Sequence, residues 1–226
     1  MNFLTTKEAE QYVDENFDIV GVNFEGLDLE ICKTIVEALN SVYTFFPEVI
    51  KAINVISTYE EINDHYNQIT GLEGDHTAIL ERGGILSAIS LNFAGQERPI
   101  YLSIAYPSSM KNKPFAEAMG KYLSADEDGP EKALKTGIYH ECIHLMDALF
   151  KISDSEEFKA ILRKHDYEQM VFDHLDGDYE EFLAALFANF FIMANTTEAV
   201  DDIFDLINKR YQEDVKEYNG KLSRSK

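Results

Sequence analysis

The sequence predicts an α+β fold in which a small sheet precedes a mostly helical second half. Three apolar, β-branched segments lie at 53–57, 84–93 and 99–107, and the last two nearly alternate between apolar and polar residues. After Pro107 the apolar residues recur at helical spacing. With 226 residues, 45% of them apolar, the chain is long enough to bury a real core.

The strand segments 84–93 and 99–107 are predicted to be neighbours. The turn-like stretch AGQER at 94–98 joins them, so we expect a hairpin. Ahead of the sheet, residues 29–46 carry apolar side chains at helical spacing and end before Pro47, which predicts a helix.

Helix boundaries in the second half follow from capping residues. Pro130 is placed at the start of a helix over about 131–151, after the acidic loop 124–131. A capping box of Ser153 and Glu156 predicts a helix over roughly 154–165. Asp178, in the acidic turn 172–181, is a plausible N-cap for a helix that reaches Ala194. Thr196 or Thr197 then caps a final helix that ends at about Tyr218. We therefore expect a single domain over 1–226, whose residues 1–50 form a helical N-terminal portion.

The charge and cysteine content exclude several classes of protein. The net charge of −21 would repel a phosphate backbone, so we expect no nucleic-acid partner. Cys32 and Cys142 are too few for a disulfide framework, which favours reduced thiols. The apolar run 182–194 is too short to span a membrane, and no signal peptide is visible, so we expect a cytoplasmic protein without membrane contact.

The segment HECIH at 140–144 has the spacing of a zinc hydrolase. On a helix, His140 and His144 project from one face about a turn apart, so both rings reach one ion. Glu141 is rotated roughly 100° around the helix and suits a general base for a metal-bound water. Cys142 faces away from the metal and is interpreted as a small buried hydrophobe. An ordinary histidine pair on a helix is the alternative to a metal site.

A zinc hydrolase needs a third protein ligand and one open position. The downstream candidates are His165, Asp173, His174, Glu180 and Glu181. Glu181 begins the apolar stretch EFLAALFANFF, where a carboxylate needs a partner if that stretch packs against HECIH.

HECIHLMD followed by EFLAALF resembles the gluzincin peptidases of the anthrax lethal factor and Pro-Pro endopeptidase type, over about residues 84–194. The resemblance implies a zincin-like catalytic core over 51–226. It implies Zn²⁺ held by His140, His144 and Glu181, with Glu141 as the catalytic base. Asp147 corresponds to an aspartate that packs or orients nearby groups. The resemblance also implies that an extended peptide pairs with an edge strand, for which 84–93 is the better candidate and 99–107 lies inside the sheet.

The sequence departs from this family at one catalytic position. The family has a tyrosine seven residues before the third-ligand glutamate, where this chain has His174. His174 donating to the oxyanion is the favoured interpretation. The alternatives are Tyr179 after a shift of the loop, and weakened or lost activity.

The sequence thus predicts a zinc-dependent endopeptidase acting on an extended peptide or protein, with Glu141 and His174 as catalytic residues. Two alternatives stay open: a catalytically inactive metallopeptidase-like binding module, such as a phage or toxin-system component, and a structural zinc site closed by a fourth ligand such as His174. The named peptidases are secreted, so export by a non-classical route also stays open, as do the substrate sequence and the oligomeric state.

Overall fold

The computed structural model describes residues 2–19, 21–71, 74, 86–91, 101–120, 129–193 and 197–224. The predicted turn at 94–98 and most of the predicted acidic loop 124–131 lie outside these ranges. In chain order the elements are α1 (Thr6–Phe17), β1 (Gly21–Val22), α2 (Leu29–Phe45), α3 (Pro47–Lys51), β2 (Val55–Thr58), α4 (Tyr59–Thr70), β3 (Ser87–Leu91), β4 (Tyr101–Tyr106), a 3₁₀ turn (Ser108–Met110), α5 (Phe115–Met119), α6 (Pro130–Phe150), α7 (Glu156–Lys164), α8 (Glu168–Leu175), α9 (Tyr179–Met193) and α10 (Glu198–Arg224).

The described strands form one small mixed sheet in the order β1-β2-β4-β3. β2 pairs in parallel with both β1 and β4, and β3 pairs antiparallel with β4. The predicted hairpin partners are therefore neighbours. As expected, β4 lies inside the sheet and β3 is a terminal strand among those described. The fold is α+β, as predicted.

The first 50 residues contribute to this same sheet. Besides three helices they hold β1, which pairs Gly21 with Val55 and Val22 with Ile56. No strand was predicted here, because a strand of two residues has no detectable periodicity. Gly21 suits this position, since a Cβ there would lie 2.5 Å from Val55 Cγ2.

The sheet is covered on both faces. Leu102, Ile104 and Tyr106 of β4 face the large core, which α2, α6 and α9 also line. Tyr101 and Ala105 face the opposite way, into a smaller cluster with Tyr59 and Ile62 of α4. This alternation is the period of a strand with two buried faces.

Helix α6 is the centre of the helical half. It packs against α2, α9 and β3, and it is buried along most of its length. Its observed bounds match the predicted helix 131–151 to within one residue, with Pro130 at the first helical position. None of the described helices combines the length and apolar composition that crossing a bilayer requires.

Two predictions about helix ends were wrong. The N-cap of α7 is Ser155, whose side chain accepts from the backbone N–H of Phe158, and not Ser153. Ser153 instead donates to Asp147. The stretch predicted as an acidic turn, 172–181, holds the second half of α8, so only 176–178 separates α8 from α9.

Other capping predictions were confirmed. Asp178 Oδ1 accepts from the backbone N–H groups of Glu180 and Glu181 at 3.1 and 3.0 Å and so caps α9. Thr197 Oγ1 accepts from Val200 N–H at 3.3 Å at the start of α10. These caps satisfy donors that have no partner within the helix.

Candidate metal centre

Helix α6 brings two histidine rings to the same place. His140 and His144 lie one turn apart, and their Nε2 atoms are 3.0 Å from each other. Their side chains are 26% and 15% exposed, whereas Tyr139 and Cys142 beside them are buried in the core. The helix thus buries its apolar side and presents both imidazoles at its surface. The predicted burial of Cys142 was correct.

Helix α9 adds a carboxylate to the pair. Glu181 Oε2 lies 3.2 Å from His140 Nε2, and its Oε1 lies 3.4 Å from His144 Nε2. The side chain reaches this position because Glu181 is in the first turn of α9, which Asp178 caps and which packs beside α6. Contacts such as the stacked rings of Tyr139 and Phe191, 4.8 Å apart, hold the two helices together.

The three groups fit one tetrahedral metal ion. Two ligand atoms each ~2.1 Å from an ion at a tetrahedral angle lie about 3.4 Å apart. The two ring nitrogens here are 3.0 Å apart, and each lies near a different oxygen of Glu181, Oε2 at 3.2 Å from His140 and Oε1 at 3.4 Å from His144. Two imidazoles and one carboxylate are also the donor set of many catalytic zinc sites. The residues present therefore suit zinc in both spacing and chemistry.

Glu180, the neighbour of Glu181, contacts the other side of His144. Its Oε1 lies 2.8 Å from His144 Nδ1. From the sequence, Glu180 was expected only as an alternative third ligand. Two consecutive carboxylates cannot be distinguished by spacing alone, so the sequence held no signal for this separate contact.

The charges of the site act on the two rings in opposite directions. Burial and the neighbouring His144 ring lower the pKa of His140. Burial also opposes protonation of His144, but the hydrogen bond to Glu180 and the charges of Glu141 and Glu181 outweigh it and raise its pKa. The same hydrogen bond lowers the pKa of Glu180, which Lys151 assists. The lowered pKa favours the neutral form of His140, in which a ring binds a metal, whereas the raised pKa of His144 favours protonation of that ring.

Glu141 lies between the histidine pair and strand β3. Burial raises the pKa of its carboxyl group to about 7. Its Oε2 accepts a hydrogen bond from the backbone N–H of Ala88, 2.5 Å away. A carboxylate whose pKa is near neutrality is well matched to taking up and releasing a proton.

The hydrogen bond from Ala88 also shows which way β3 faces. Because the Ala88 N–H points to Glu141, it points away from β4. Backbone groups on a strand alternate in direction, so Ser90 N–H points to the same outer side. The outer edge of β3 therefore runs beside Glu141.

Three further residues predicted from the sequence are not among the ligand atoms of this cluster. His174 is exposed near the end of α8 and is not among the clustered ligand atoms. Tyr179 is half-buried at the start of α9, with its ring 6.1 Å from Phe172 and 5.4 Å from Lys159 Nζ. Asp147 accepts from the backbone N–H and the hydroxyl of Ser153 at 2.8 and 2.6 Å, so it fixes the chain after α6.

A second cluster of histidine and carboxylates is present in the described part of the chain, formed by His165, Glu198 and Asp202. Lys164 Nζ lies 3.2 Å from Glu198 and 2.6 Å from Asp202, and His165 Nε2 lies 2.8 Å from Asp202. The lysine already supplies the positive charge that a metal would bring. We interpret this cluster as an ion-pair network that joins the end of α7 to the start of α10.

Comparisons of the chain with protein-family models, with curated proteins and with solved structures found no match.

Proposed function

We propose that the protein is a zinc-dependent endopeptidase that cleaves an extended peptide or protein substrate. The observation that carries the proposal is the convergence of His140, His144 and Glu181, with separations of 3.0 to 3.4 Å, beside the buried carboxyl group of Glu141. The described cluster offers three ligands, which leaves a position open for a water molecule.

The proposed reaction assigns one role to each group. Zinc held by His140, His144 and Glu181 would polarise a water molecule and lower its pKa toward ~7. Glu141 takes a proton from that water as its oxygen attacks the scissile carbonyl carbon. Glu141 then passes the proton to the leaving amine nitrogen as the carbon–nitrogen bond breaks.

The oxyanion that forms on the substrate carbonyl needs a hydrogen-bond donor. We assign this role to His174, with Tyr179 as the alternative. Both lie on the α8–α9 segment that leads into Glu181. His174 is exposed near the end of α8, and the proposal requires its ring to turn toward a bound substrate.

No described strand pairs with the outer edge of β3, which suits the proposed substrate. An extended peptide that pairs with outward backbone groups such as Ser90 N–H would run past Glu141, as one more strand of the sheet. Backbone pairing is independent of side chains, so this contact positions a peptide without fixing its sequence.

The test is the substitution Glu141→Gln, because Gln is similar in size but cannot accept the proton. We expect one zinc per chain in both proteins, and cleavage of a mixed peptide library by the wild type alone. The wild type should also lose activity on chelation and regain it with zinc. Glu168→Gln on α8 serves as a control that removes a carboxylate away from the ligands. Equal turnover by wild type and Glu141→Gln would contradict the mechanism, and zinc binding without any cleavage would favour the inactive binding module.

A further inference from the structure

Glu180 and Glu181 are consecutive, yet they act on opposite nitrogens of the same ring. Glu181 lies 3.4 Å from His144 Nε2, whereas Glu180 lies 2.8 Å from His144 Nδ1. Asp178 fixes the backbone of both residues through their N–H groups. One capped helical turn therefore carries both carboxylates to His144.

A neutral imidazole has one N–H, on either Nδ1 or Nε2. A carboxylate beside Nδ1 has only acceptor oxygens, so it stabilises the form with the proton on Nδ1. The lone pair is then on Nε2, which is the atom that faces His140 Nε2 and Glu181. That is the form of the ring that binds a metal.

We infer that Glu180 is a positioning residue for the metal centre, whose carboxylate holds His144 in the Nδ1–H tautomer with Nε2 directed at the ion. This inference rests on the proposed function, since it assigns Glu180 a role in the same site. Groups that orient a metal-binding histidine in this way typically contribute 10- to 100-fold to metal affinity.

The experiment compares Glu180→Ala, Glu180→Gln and the control Glu168→Ala. Glutamine keeps an acceptor oxygen but loses the charge, alanine loses both, and the control removes a charge from α8 without altering a contact to His144. Zinc affinity is measured by competition with a chromophoric chelator. We expect affinity to fall about 10- to 100-fold in Glu180→Ala and by less in Glu180→Gln, and to stay within about twofold of the wild type in Glu168→Ala.

A second measurement separates positioning from a general structural effect. Long-range proton–nitrogen NMR spectra of the metal-free proteins, at a pH where the ring is neutral, report the tautomer of His144. We expect Nδ1–H in the wild type and a shift toward Nε2–H in Glu180→Ala. The side chain of Glu180 is 50% exposed, so the variants are expected to fold, and thermal unfolding of the metal-free proteins checks this.

The outcomes separate this inference from the proposed function. Failure of the wild type to bind zinc overturns the proposed function. Zinc binding by the wild type with unchanged affinity in Glu180→Ala overturns the role of Glu180 alone. An Nε2–H tautomer of His144 in the metal-free wild type also overturns it.

Discussion

At the scale of single residues, the site depends on which nitrogen or oxygen each side chain presents. His144 shows this most clearly, because Glu180 contacts its Nδ1 and His140 and Glu181 face its Nε2. Sequence spacing predicted the histidine pair, since residues four apart on a helix share a face. Spacing could not separate Glu180 from Glu181, because adjacent residues point roughly 100° apart on a helix and the packing of α9 decides which of them faces His140.

Asp147 makes a side-chain contact that changes where the next helix is capped. The sequence suggested an orienting or packing residue, and the structure shows a buried carboxylate that accepts from the backbone and hydroxyl of Ser153. The same contact explains why Ser153 is not the cap of α7. A cap is predictable from local sequence only when no residue outside that sequence competes for its side chain.

His174 and Tyr179 give the prediction at residue scale. If His174 donates to the oxyanion, His174→Phe should lower kcat about 10²- to 10³-fold with unchanged zinc affinity, whereas Tyr179→Phe should keep near wild-type kcat. Steady-state kinetics on one cleaved peptide measures both. The reverse pattern would assign the role to Tyr179, and full activity in both variants would exclude both as donors.

At the scale of elements, the site is a meeting of α6, α9 and the edge strand β3. The bounds of α6 and the cap of α9 were predictable because Pro130 and Asp178 act on their own helix ends. The order of the strands was only partly predictable. The antiparallel neighbours β3 and β4 follow from their alternation, but the parallel pairing of β2 with β1 and β4 depends on contacts between distant parts of the chain.

The edge strand gives the prediction at element scale. Ser90→Pro removes a backbone N–H that points away from β4. The pairing of β3 with β4 should survive, because proline is tolerated on an edge strand where the missing N–H faces outward. Loss of one backbone hydrogen bond worth ~1 kcal/mol should raise KM for an extended peptide about five- to tenfold. Ser90→Ala keeps the N–H and is the matched control. An unchanged KM in a folded Ser90→Pro protein would argue against pairing of the substrate at this edge.

At the scale of the whole molecule, Glu61 ties the first strand to the rest of the sheet. Its carboxylate accepts from Asn23 after β1 at 2.8 Å, and from Ser57 of β2, and it lies 3.7 Å from Lys111 Nζ. Burial alone would raise the pKa of Glu61, but the hydrogen bonds from Ser57 and Asn23 and the charge of Lys111 bring it below its ordinary value. The ionised form is therefore the one that the folded protein stabilises.

The sign of this pKa shift predicts how stability changes with pH. A carboxyl group with a lowered folded-state pKa contributes stability above its unfolded pKa, and this contribution is lost as the pH falls through the folded pKa. Glu61→Gln should therefore destabilise the protein at neutral pH, by on the order of 1 kcal/mol after allowance for solvent exposure. The difference should shrink as the pH falls below the ordinary pKa of a glutamate, and it should vanish only below the lowered folded-state pKa of Glu61. Urea unfolding across this pH range measures it, and a constant difference at all pH values would contradict the assignment.

The net charge of the whole molecule is strongly negative. A net charge of −21 predicts that the whole molecule attracts cations and repels polyanions, and it supports the expectation of a peptide partner over a nucleic acid. That charge says nothing about where a metal binds. The proposed location depends on three side chains that two helices bring together, those of His140, His144 and Glu181.

The most direct test of the zinc centre is a crystal structure of the zinc-loaded protein with anomalous data collected at the zinc edge. The proposal predicts one strong peak about 2.1 Å from His140 Nε2, His144 Nε2 and a Glu181 oxygen, with a fourth position free of protein ligands. A peak at His165 and Asp202, a fourth protein ligand closing the site, or no peak at His140 and His144 would contradict it.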